Sequence, residues 1–128
     1  TARGHKLPED ATVPIIMEND SEKIETTREA VALLEMVGLG DEMTRAESGK
    51  RIRAGRGKMR GRKYRIRKSV LVVVSGKCPA VKSFSNLTGI DVACVDSLNV
   101  ELLAPGGLAG RLTIMSEAAL DRLKGWAS

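Results

Sequence analysis

The chain has 128 residues, a formal charge of +5, one His, two Cys, no Gln and three aromatic residues, a length that fits one compact domain rather than several. Hydrophobic residues make up 42%, too many for intrinsic disorder and too interrupted for a bilayer span. The charge is concentrated: eleven of the nineteen residues from Lys50 to Lys68 are Lys or Arg and none is acidic, so the remainder of the chain is net −6.

Along the chain, the apolar run Val13 to Met17 predicts a short buried strand, which Pro14 confines to a sheet edge or to a strand's beginning. Thr26 and Glu29 have capping-box spacing. Ala30, Val31, Leu33, Leu34 and Val37 then fill one face of a helix before Gly38 supplies its C-cap. A second helix is expected from Asp41, with Ala46 and Ile52 as a thin apolar stripe, fading into the basic run around Arg53. The run itself reads as one long irregular loop, either functional or disordered.

Val70 to Val74, VLVVV, is the β-branched pattern of a central strand covered on both faces. A short helix over Pro79 to Leu87 ends at Gly89, Asp91 to Val95 is a strand, and Leu98 to Leu103 is one helical turn or two. A Pro/Gly loop, Ala104 to Gly110, leads into a fourth strand, Leu112 to Met115. Ser116 then caps a last helix with Leu120 and Leu123 facing inward. Met17, Met36, Met115 and Cys94 read as core, and Trp126 either packs the last helix onto the body or stands as an exposed anchor. Four strands alternating with helices imply an α/β fold: a mostly parallel sheet of about four strands flanked by helices, with a long basic loop before the central strand. Residues 1–128 form a single domain in this reading.

The basic run, KRIRAGRGKMRGRKYRIRK, has seven Arg and four Lys. Arg offers a planar fork for phosphate oxygens and can stack on unpaired bases. Gly55, Gly57 and Gly61 let the backbone approach a phosphate chain, and Tyr64 can stack on a base or sugar. Holding that much like charge between folded segments is costly without a polyanion, so nucleic acid is the expected partner. A membrane surface is not, because the glycines spoil an amphipathic helix. The GxGxxxG spacing precedes a strand instead of following one, which excludes a dinucleotide fingerprint, and no Walker lysine motif is present.

Catalytic resources are few. His5 lies near the N-terminus, no Ser or Cys has a second His to pair with, and Asp91 and Asp96 read as caps or turn residues. Cys78 and Cys94 lack neighbours at metal-ligand spacing. No cofactor, metal or small-molecule substrate is expected. Two alternatives remain open: a nucleic-acid-processing enzyme using Asp91, Asp96 or Cys94, and a DNA-binding regulator whose second helix enters the major groove, for which the glycines are unfavourable. No charged segment leads into an apolar stretch at the N-terminus, leaving the cytosol as the default compartment, and Thr1 in place of Met suggests a fragment or a processed chain.

RAGRGKMRGRKYR at 53–65, VLVVVS at 70–75, LNVELLAPGG at 98–107 and GRLTIMSEAAL at 110–120, with Arg3-Gly4-His5 ahead of them, closely resemble, in this order, the archaeal and eukaryotic form of large-subunit ribosomal protein L four. The resemblance implies a non-enzymatic domain that binds large-subunit rRNA, meets other large-subunit ribosomal proteins, supports assembly near the peptide exit tunnel and resides in cytoplasmic ribosomes. Family members carry an initial strand and a tunnel-reaching loop upstream of the RGH element, which makes this chain resemble their C-terminal part. Carried over by position, the RNA-contact residues are Arg53, Arg56, Lys58, Arg60, Arg62, Lys63, Tyr64, Arg65 and Arg67, extended by Lys50, Arg51 and Lys68. Arg3, His5, Gly106, Gly107 and Arg111 are secondary candidates, the APGG element being more simply a tight turn.

Overall fold

The computed structural model describes residues 2–8 and 11–126; Thr1, on which the expectation of a processed chain rests, lies outside the described residues. Four strands, β1 (Ile15–Met17), β4 (Leu71–Val74), β5 (Asp91–Cys94) and β6 (Thr113–Ser116), form one sheet in the order β1-β6-β4-β5, with every pairing parallel. Two further strands, β2 (Arg51–Ile52) and β3 (Tyr64–Arg65), pair antiparallel as a separate ribbon. The helices are α1 (Thr27–Met36), α2 (Gly40–Ser48), α3 (Ala80–Ser85), α4 (Val100–Leu103) and α5 (Glu117–Lys124). The expected α/β architecture is therefore present, with β4 inside the sheet and the Pro14-bearing segment leading into its edge strand.

Strand β4 is buried along its whole length because its apolar side chains alternate between two cores. Val70, Val72 and Val74 point into a core with Leu34 of α1, Phe84 of α3, Leu39 and Ile114. Leu71 and Val73 point to the opposite face, against Ala93, Val95 and Ala119 of α5, with Leu102 and Leu123 packed around them. Thr26 caps α1 by accepting the Glu29 N–H (3.3 Å), Ser116 caps α5 by accepting that of Ala119 (3.1 Å), and Asn99 caps α4 through Leu102 (2.8 Å).

Several expectations need correction. Helix α2 stops at Ser48, before the basic run, and Ile52 is exposed on the ribbon rather than part of an apolar stripe. Met36 faces solvent at the end of α1, and Trp126 stands out beyond α5. Ala119 and Leu123, more than Leu120, carry the last helix's packing. Among the described residues, no helix is long and apolar enough to cross a membrane.

Candidate nucleic-acid interface

The basic run is a folded ribbon rather than an irregular loop. Arg51 stands opposite Arg65 and Ile52 opposite Tyr64; the Arg53 N–H donates to the Lys63 carbonyl at 2.8 Å, and its Nε to that of Arg62 at 3.2 Å. The tip is a 3-10 turn over Arg56–Met59, closed by the Arg60 and Arg62 N–H groups on the Gly57 carbonyl (both 3.2 Å). Gly55 and Gly61 flank it at φ 77° and 76°, values that residues with a Cβ avoid.

Side chains alternate across a strand, so the ribbon has two unlike faces. One carries Arg51 and Arg65 and, continuing the register, Arg53 and Arg67, with Lys63 starting from this side and curling its ammonium over to Tyr64 on the other. Arg51, Arg65 and Arg67 line a concavity of about 260 Å³ with Ser48 and Gly49. Gly49 shapes this seat, because a Cβ there would fall 2.6 Å from Arg67 Cδ and 2.8 Å from its Cγ. The other face carries Ile52 and Tyr64, and the Tyr64 ring has Lys50 Nζ at 5.1 Å and Lys63 Nζ at 5.5 Å from its centroid. Arg56, Lys58, Arg60 and Arg62 occupy the exposed tip. Of the eleven cations, only Lys68 is ion-paired among the described residues, to Asp91 at 2.8 Å.

The ribbon emerges where the parallel strands begin, and that end is braced by buried charge. Arg111 donates to the carbonyls of Ser69 (3.0 Å), Val70 (3.1 Å) and Leu102 (2.8 Å) and to Asp91 Oδ2 (2.6 Å). Burial would raise the Asp91 carboxyl, but the hydrogen bonds and charges of Lys68 and Arg111 outweigh it and hold the group below its usual range. Glu42 of α2, fully buried, accepts from Arg45 Nη2 (2.5 Å) and Nε (2.8 Å), the Lys6 N–H (2.8 Å) and Ser69 Oγ (2.7 Å). His5 Nδ1 lies 2.7 Å from Glu42 Oε1, so the Nδ1–H tautomer donates to it. Burial pushes the Glu42 carboxyl up, yet this set of donors wins and brings it down to about 2.

The secondary contact candidates thus divide. His5 and Arg111 are both buried, with hydrogen bonds to Glu42 and to Asp91 and three carbonyls respectively, so both are tied into the body beneath the ribbon. Gly106 and Gly107 are exposed in a turn at φ 76° and 77°. Arg3 holds that turn by donating to the Leu108 and Pro105 carbonyls. Lys68 and Gly106 share a second concavity that also contains Asp91 and Glu101, two carboxylates that make it a poorer anion seat than the ribbon.

The residues of the enzyme alternative do not come together. Asp91 and Cys94 sit at opposite ends of β5, Asp96 lies beyond Cys94 and faces Arg122 at 3.3 Å, and Cys94 packs against the core. The C-terminal end of the sheet, where open α/β folds seat their ligands, is occupied by Glu22. Its carboxylate accepts from the Ser75 N–H and Oγ (both 2.7 Å) and from Ser116 Oγ (2.5 Å). Sequence reasoning missed Glu42 and Glu22. Glu42 was detectable: it stands three residues after Leu39 and four before Ala46, a core-facing slot of α2. Glu22 has no such local signal.

Residues 8–126 match the model of the ribosomal protein L4/L1 family. The chain is 48% identical over 122 residues to the large ribosomal subunit protein uL4 of Methanocaldococcus jannaschii, covering 95% of this chain and 48% of that protein. It is 46% identical over 125 residues to uL4 of Methanoregula boonei (98% and 49%), and 49% identical over 118 residues to uL4 of Natronomonas pharaonis (92% and 47%). The chain spans about half the length of the relatives it matches.

Proposed function

This chain belongs to the ribosomal protein L4/L1 family, and from that premise we propose that it is a structural, non-catalytic component of the large ribosomal subunit that binds large-subunit rRNA through the 50–68 ribbon. The observation that carries the reading is the ribbon itself: an exposed, glycine-turned hairpin whose cations, apart from Lys68, lack carboxylate partners among the described residues. Such a surface is stabilised by phosphate contacts that release condensed counterions. In this reading residues 1–128 act as one α/β unit. The sheet and the Glu42 and Arg111 networks hold the ribbon in place, neighbouring large-subunit proteins cover other surfaces, and the particle is cytoplasmic.

The test is titration of the purified chain against large-subunit rRNA fragments and duplex DNA of matched charge over a range of salt. Selective rRNA binding that persists at physiological salt is expected, with a log–log salt slope of about −4 to −5 for roughly six phosphate contacts. Equal, salt-labile binding to both would reduce the ribbon to a generic basic patch and overturn the assignment. A clear preference for duplex DNA would favour a regulator instead.

A further inference from the structure

Ile52, Met59, Tyr64 and Ile66 are all substantially exposed within the most cationic segment of the chain, and none of them reaches either core. A ribbon that only gathered phosphates would gain nothing from an aromatic and aliphatic face. Tyr64 is presented on that face with the Lys50 and Lys63 ammonium groups over its ring, 5.1 and 5.5 Å from the centroid, an exposed π-surface covered, among the described residues, by mobile cations alone, while the opposite face holds three arginines around one concavity. One face therefore suits a flat, uncharged π-surface with anionic groups at its margins, and the other suits an anion.

We propose that the ribbon engages an unpaired nucleotide, its base stacked on Tyr64 beside Ile52, while a nearby phosphate of the same strand, carried around the ribbon's edge, occupies the Arg51, Arg65 and Arg67 concavity. This rests on the RNA-binding reading above and specifies the RNA it takes. In an A-form duplex both faces of each internal base are already stacked, so a loop, bulge or single strand must supply the base. The stacking base takes the place of an ammonium over the ring, and the displaced Lys50 and Lys63 side chains, both long and exposed, meet the phosphates that adjoin it. Gly49 keeps the arginine seat open, since a Cβ there would displace Arg67.

The experiment compares the full chain with its Tyr64→Ala, Tyr64→Phe and Arg51→Gln/Arg65→Gln/Arg67→Gln variants. The probes are a 20-nucleotide single-stranded RNA carrying 2-aminopurine and the blunt duplex formed from the same sequence, each titrated at several salt concentrations. For the wild type, a changed 2-aminopurine signal and tighter binding to the single strand are expected. Tyr64→Ala is expected to weaken single-strand binding by roughly tenfold with the salt slope unchanged, Tyr64→Phe to retain it, and the triple Gln variant to shrink the slope by about 1 to 2. Single-strand affinity unaltered in Tyr64→Ala, or duplex bound as tightly as single strand, overturns the inference while a steep salt slope preserves the RNA-binding reading; the apolar face would then belong to a protein neighbour. Failure of the wild type to bind either RNA at low salt would remove both.

Discussion

Strand β4 and the ribbon that precedes it are close neighbours in the chain and follow opposite rules. Every residue of β4 is buried, and its alternation is satisfied by apolar partners on both sides. No residue of the ribbon between Arg51 and Lys68 is buried, and its alternation separates guanidinium groups from a small apolar face. The same two-residue period serves cohesion in one place and display in the other. The stability of this molecule resides in the sheet, its helices and the buried charge networks, whereas the affinity for a polyanion proposed above would reside in a segment that contributes little to folding.

That separation can be attacked from the stability side first. Glu42→Gln removes the negative charge that neutralises Arg45 and that accepts from His5 Nδ1–H, and is expected to cost about 4 kcal/mol in urea denaturation while leaving the salt slope of RNA binding intact; a changed slope would show that the two regions are coupled. Leu34→Ala, a truncation at a fully buried α1 position, should cost about 3 kcal/mol by the same measurement. Acid supplies a third probe. The Glu42 carboxyl is lowered to about 2 from 4.5, so its charged form stabilises the fold fully above about pH 4.5. That stabilisation, about 3 kcal/mol, is lost as pH falls toward 2. Asp91, also held low, acts in the same direction. Denaturation midpoints followed over pH 2 to 5 should show this loss in the wild type and much less of it in Glu42→Gln.

Smaller effects sharpen the contrast. Thr26→Ala deletes the α1 cap and is expected to cost about 1 kcal/mol. Replacing Arg60, Arg62 and Arg65 together by Ala should change folding stability by no more than about 0.5 kcal/mol, as exposed substitutions do, and yet weaken rRNA binding and flatten its salt dependence by about 2 to 3. Unchanged rRNA affinity in that triple variant would detach the ribbon from the proposed function.

The parts legible in the sequence are those governed by local rules. VLVVV declared a central strand because β-branched residues buried on both faces tolerate few other placements, and Thr26, Ser116 and Gly38 marked helix ends through capping chemistry that acts within one turn. The ribbon was legible in principle: Arg51-Ile52-Arg53 and Arg65-Ile66-Arg67 both alternate with period two, but the density of charge and glycine obscured that signal and favoured an irregular reading. What was not legible depends on contacts far apart in the chain. His5 is buried because Glu42, distant in sequence, accepts its proton donor. Arg111 turns inward because Asp91 and three backbone carbonyls converge on it. Met36 fits the apolar composition of α1 and still ends up in solvent, because it lies off the arc that faces the sheet.

The close approach of Arg67 to Gly49 has a consequence for how this molecule can change. The ribbon leaves the body and returns to it at the same point, so residues 50–66 form a loop whose mouth is already shut. Closing such a loop costs little more when the loop grows. Residues can therefore be added to or removed from the tip without shifting the register of β4 against β5 and β6. The body can keep its architecture while the projecting finger is lengthened, shortened or recoded, much as a tool handle accepts different heads.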